Sequence, residues 1–115
     1  MIERKHMSQR MSQLVSYNGL VFTAGQVAAD TSQDAAGQTR QVLAAVDTLL
    51  VEAGTDKSKL LKANIWLSDI RHFDEMNSVW DDWVAAEHPP VRACVEARLA
   101  GPEYLVEIQV VAAQS

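Results

Sequence analysis

The sequence predicts an α+β fold, a β-β-α-β-α-β-β sandwich with both helices packed on one face of a single sheet. Three observations carry this expectation. Asn18-Gly19 sits between two short apolar runs, Leu14 to Tyr17 and Leu20 to Ala24, and supplies the positive φ angles that a two-residue hairpin turn requires. Val42, Val46, Leu49, Leu50 and Ala53 recur at helical spacing and are followed by Gly54, the usual helix stop. Beyond Pro89-Pro90 the residues alternate from Arg92 to Leu99, as they do in a strand.

The elements follow in order. Residues 1–11 are polar and mixed in charge and are expected to form a flexible arm ahead of one domain over 12–115, since a chain of 115 residues is too short for two independent cores. The hairpin ends at Gly25-Gln26. A small polar loop from Ala29 leads to Thr31 and Asp34, spaced like a helix-start cap. The first helix then runs from about Asp34 to Ala53. Lys57 to Lys62 is a basic lead-in to a third strand, Ala63 to Leu67. Asp69 is expected to cap a second helix reaching about Ala86, with Phe73, Met76, Asn77, Trp80 and Val84 as its stripe. The two prolines end that segment, the Arg92 strand follows, and Leu105 to Ala113 completes the sheet.

Alternation assigns the faces. Arg92, Cys94, Glu96 and Arg98 share one side of their strand, and Ala93, Val95, Ala97 and Leu99 the other, which is expected to pack on the helices. In the last strand Val106, Ile108, Val110 and Ala112 turn inward, leaving Leu105, Glu107, Gln109 and Val111 outward; Trp66 and Asn64 also point outward. A helix-free face holding Trp66, Leu105, Val111 and Cys94 is too apolar to leave in water. A further copy of the chain is expected to cover it, placing Arg92 and Glu107 at or near a subunit boundary, where small-ligand clefts are common.

Composition narrows the function classes. Apolar residues make up 48% and charged residues 22%, a globular balance. A net charge of -5 argues against nucleic acid or an anionic membrane surface as partner, and no run is long enough to cross a bilayer. Met1 to Lys5 is basic but leads into polar residues rather than an apolar signal core. His6, His72 and His88 are scattered and Cys94 is the only cysteine, so neither a zinc cluster nor a disulfide framework is expected. A cytoplasmic location fits these features.

Six residues carry the candidate chemistry. Arg92 can bind a planar carboxylate through two parallel hydrogen bonds, a geometry Lys cannot copy; its structural alternative is a salt bridge with Glu96 or Glu107. Glu107 interrupts an apolar strand, so it is either exposed on an edge or buried near a partner, where a raised pKa would let it exchange protons with water. Cys94 reads as a packing thiol, since no base is placed to activate it. Asn77 lies on an apolar helical stripe and must find hydrogen-bond partners, most simply the backbone of a neighbouring loop, as a structural clip. Gly25, with Gln26, is either strand punctuation or a place where backbone approaches a ligand closely. No glycine-rich run with Lys and Ser/Thr forms a phosphate loop.

Together, Ser12-Gln13, Ala24-Gly25-Gln26, Gln38 with Gln41, Phe73 with Asn77, Pro90 through Glu96 and Val106-Glu107-Ile108 resemble the reactive-intermediate deaminase family, also called Rid or YjgF. The resemblance spans about Ser12 to Ala113. It implies a chorismate-mutase-like sandwich assembled as a homotrimer with clefts between subunits. It also implies cofactor-independent hydrolysis of enamines and imines, of the 2-aminoacrylate and 2-iminobutyrate type, to 2-keto acids and ammonia. By the same resemblance Arg92 grips the substrate carboxylate, Glu107 positions or activates water, and Cys94 and Gly25 line the substrate. Where the best-studied members carry Pro-Tyr before Ser-Gln, this chain has Arg10-Met11, marking a side branch. The alternative function is a non-catalytic trimeric metabolite binder, or a holdase-like stress protein, using the same cleft; cleavage of RNA is disfavoured by the acidic charge.

Overall fold

The computed structural model describes residues 1–114. Along the chain lie β1 (Glu3–Met7), β2 (Ser12–Tyr17), β3 (Leu20–Thr23), α1 (Ala35–Glu52), β4 (Leu60–Leu67), α2 (Phe73–Trp83), β5 (Val91–Glu96) and β6 (Val106–Ala113), with single 3-10 turns at Lys57–Lys59 and Ile70–His72. The strands form one mixed sheet in the order β1-β2-β3-β6-β4-β5. Every pairing is antiparallel except β4 with β5. Two helices pack on this six-stranded sheet, giving the expected α+β architecture with one strand more than the sequence pattern suggested.

Local chemistry explains most boundaries. Asn18 and Gly19 take φ of 55° and 82°, the left-handed pair of a tight hairpin turn. Asp34 caps α1 by accepting a hydrogen bond from the Gly37 N–H at 2.8 Å, and Gly54 (φ 78°) ends it. Asp69 caps the 3-10 turn ahead of α2 rather than α2 itself. The second helix stops at Trp83, short of Ala86, because Val84 has already turned to extended backbone. The third strand begins at Leu60, three residues before the apolar run that announced it.

The core lies between the sheet and the helices. Leu14, Val21, Ile65, Leu67, Val106, Ile108 and Val110 meet Val42, Val46 and Leu50 of α1 and Met76 and Trp80 of α2. Gln38, fully buried on α1, ties two loops to this core, the β3–α1 and β5–β6 connections. Its Nε2 donates to the carbonyls of Thr31, Gln33 and Glu103, and its Oε1 accepts from the Leu105 N–H at 3.0 Å. The start of β6, and with it Glu107, is thereby anchored to the first helix. On the opposite face Tyr17, Leu20, Phe22, Val91 and Val95 remain exposed, beside Trp66, Glu107 and Val111.

Two expectations need correction. Residues 1–11 were expected to form a flexible arm, yet Glu3–Met7 pairs along β2 as the sheet's first strand. All five of its side chains are exposed, so the strand rests on backbone pairing, with Lys5 Nζ donating to the Glu52 carbonyl and His6 pairing with the Glu52 carboxylate. A strand that buries no side chain leaves no alternation to read. The faces of β5 are also reversed: Arg92, Cys94 and Glu96 align with Ala63, Ile65 and Leu67 of β4, whose side chains are buried under the helices. Val91, Ala93 and Val95 point to the helix-free side. Cys94 therefore packs against the core and not on the open face.

Candidate active site

Arg92 opens β5 immediately after the proline loop, half-buried against α2. Its Nη1 donates to Asn77 Oδ1 at 2.7 Å, and its guanidinium lies 5.3 Å from the Trp80 ring centroid and 5.9 Å from that of Phe73. Rings attract a cation held over their faces, which is why a strand position under a helix tolerates a charge. The partner of Asn77 is thus the arginine rather than loop backbone. Among the described residues Arg92 forms no ion pair; Glu96 instead accepts from the Ile70 N–H at 2.9 Å. Cys94 follows on the same face, where burial pushes its thiol above the ordinary value and Arg92 draws it part of the way back. A protonated thiol is a poor nucleophile.

Glu107 stands on β6, an interior strand between β3 and β4, so the edge-exposed alternative does not hold. It is opposite Trp66 and half-buried. Gly25 lies directly against it: a Cβ on Gly25 would come within 2.0 Å of Glu107 Oε2. The glycine here makes room for a carboxylate. Gln26 holds that bend in place, exchanging backbone hydrogen bonds with Ile108 at 2.8 and 3.2 Å while its Nε2 donates to Gln13 Oε1 and the Ala24 carbonyl. Gly25→Ala is expected to push the Glu107 side chain aside while leaving the fold intact, since the obstructing atoms are the far end of a flexible chain. A thermal melt close to that of the parent, with a crystal structure of the variant showing the Glu107 carboxylate displaced, checks this.

The structure brings these residues together in two groups. Arg92 and Cys94 face the helices, where Asn77 of α2 meets the arginine; Glu107, with Gly25 against it, faces the opposite side, since Glu107 pairs with Trp66 while Arg92 aligns with Ala63, and odd and even positions of β4 point to opposite faces. Within a single chain the two groups therefore stand on opposite sides of the sheet. Trp80 reads in the sequence only as core stripe; two aromatic residues flanking an asparagine on one helix face are the available sign of a cation seat. A cavity of about 660 Å³ beyond the far end of β5, bordered by Ser68, Glu96, Arg98 and Pro102, is lined by none of the predicted site residues. Among the described residues no group of His, Cys, Asp and Glu could hold a metal ion, and no helix is long and apolar enough to cross a membrane.

Residues 1–114 match a family model described as endoribonuclease L-PSP. The chain belongs to this family, also known as YjgF/Rid. A RutC family protein of Haemophilus ducreyi is 46% identical over 113 residues, covering 98% of this chain and 97% of that protein. The RutC family protein YoaB of Escherichia coli is 42% identical over 112 residues, with 97% of each covered. The crystal structure of NMB1025 from Neisseria meningitidis, described as a member of the YjgF family, superposes with a TM-score of 0.97 at 47% identity, covering 100% of this chain and 96% of that one. This YjgF/Rid chain carries Arg92 and Cys94 on β5 and Val106-Glu107-Ile108 on β6.

Proposed function

We propose that this protein hydrolyses small 2-imino acids, and the enamines from which they tautomerise, to 2-keto acids and ammonia in clefts between copies of the chain. One observation supports the reading above others: an arginine with a free donor edge and a carboxylate seated on a glycine occupy opposite faces of one sheet, so that two copies are needed to enclose a ligand. The apolar helix-free face provides the reason for copies to meet, and a homotrimer is the assembly we assign.

The imine carbon is already electrophilic, so the site has only to hold the substrate and deliver one water. Arg92 binds the carboxylate. Glu107 of an adjoining copy accepts a proton from water as the oxygen bonds to the imine carbon. The same proton passes to the nitrogen, completing the carbinolamine; Glu107 then takes the hydroxyl proton as the carbonyl forms and the C–N bond breaks, and hands it to the departing nitrogen, which leaves as ammonia. An enamine such as 2-aminoacrylate enters after gaining a proton at its β-carbon and losing one from nitrogen. Every step uses side chains alone. The Cys94 thiol, protonated and packed on the core, lines the site without attacking.

The test couples the protein to a serine dehydratase that releases 2-aminoacrylate, following decay of the imine signal. Acceleration beyond the spontaneous rate, from a particle of three chains by light scattering at micromolar concentration, is the expected result. Binding of keto acids without acceleration would favour the metabolite-binder alternative, and a stable folded monomer would remove the shared cleft.

A further inference from the structure

Phe73, Asn77 and Trp80 occupy positions i, i+4 and i+7 of α2 and so share one helix face. All three touch the Arg92 guanidinium, through two ring faces and one amide oxygen. These contacts constrain different freedoms. The rings hold the guanidinium over the helix. The amide oxygen fixes its rotation, because a hydrogen bond of 2.7 Å requires one N–H to point along it. Among the described residues the guanidinium donates to no other group. With Nη1 engaged, the Nε–Nη2 edge is the fork that stays open.

We infer that Asn77 is a positioning residue for the carboxylate clamp: it determines which edge of Arg92 an incoming carboxylate meets. The inference rests on the reading of Arg92 as that clamp. A neutral amide suits the task because it orients the guanidinium without neutralising it. An aspartate at the same position would offer a similar acceptor but form an ion pair, and so compete with the ligand for the same charge.

The test is an NMR titration with 2-oxobutyrate, a stable keto acid, on the assembled protein and its Asn77→Ala, Asn77→Asp, Arg92→Ala and Asn77→Ala/Arg92→Ala variants. Asn77→Ala is expected to weaken binding roughly two- to 150-fold, the range of coupling between contacting residues, and in turnover to raise KM more than it lowers kcat. Asn77→Asp is expected to weaken binding with the fold intact by circular dichroism, and carries the test if the alanine variant fails to fold. In the Arg92→Ala background the Asn77→Ala change should add nothing. An undiminished effect in that background, or no effect of either Asn77 change where Arg92→Ala abolishes binding, overturns the inference. If Arg92→Ala itself leaves the affinity unchanged, it is the clamp reading that fails.

Discussion

Replacing Glu107 with glutamine is expected to slow hydrolysis of 2-aminoacrylate by about 10²–10⁴-fold, the usual weight of a positioned acid-base group, while keto-acid binding survives. Glutamine matches the carboxylate in size and still fits above Gly25, so the room that the glycine provides is not lost. It can orient a water but cannot take a proton from it. The expected loss therefore falls on kcat. Steady-state kinetics and a keto-acid titration on the same preparation check the split, and unchanged turnover would leave Glu107 a structural role only.

Arg92→Lys is the second large change, expected to lower kcat/KM about ten- to a hundredfold. Lysine keeps the charge but loses the planar fork and the stacking geometry over Trp80 and Phe73. Forfeiting one charge-assisted hydrogen bond costs about 1.5–3 kcal/mol, at about 1.4 kcal/mol for each factor of ten. Arg92→Ala should cost more, and both variants should keep the parent's assembly state. Activity has to be read beside thermal melts and light scattering. A variant that dissociates would make Arg92 a strut between subunits, whereas a folded lysine variant with full activity would refute the clamp.

The elements whose signals are local were legible from residue order. Asn18-Gly19 marks its turn because few other pairs tolerate two positive φ angles, and Asp34 and Gly54 mark the ends of α1 for similar reasons of backbone chemistry. The edge strand at Glu3–Met7 was not legible, since it is held by the neighbouring strand and buries no side chain. Alternation also showed that Arg92 and Cys94 share a face without showing which face. Counting apolar residues assigned Ala93 and Val95 to the core, but Trp80, Phe73 and Asn77 make a better seat for the guanidinium than solvent does. Hydropathy treats arginine as simply polar, whereas its flat cation stacks on rings and its stem tolerates burial. The presence of Arg92 and Glu107 on strands was readable; their division between two faces depended on the register of β4 with β5 and β6.

That division makes catalysis, on the proposed assembly, a possession of neighbours rather than of individuals. A chain without Arg92 and a chain without Glu107 are each inert among their own kind, yet each retains the group that the other lacks. In a closed ring of three built from both kinds, going round the ring meets one junction where an intact arginine faces an intact glutamate. Two defective alleles in one cell would complement each other through that junction.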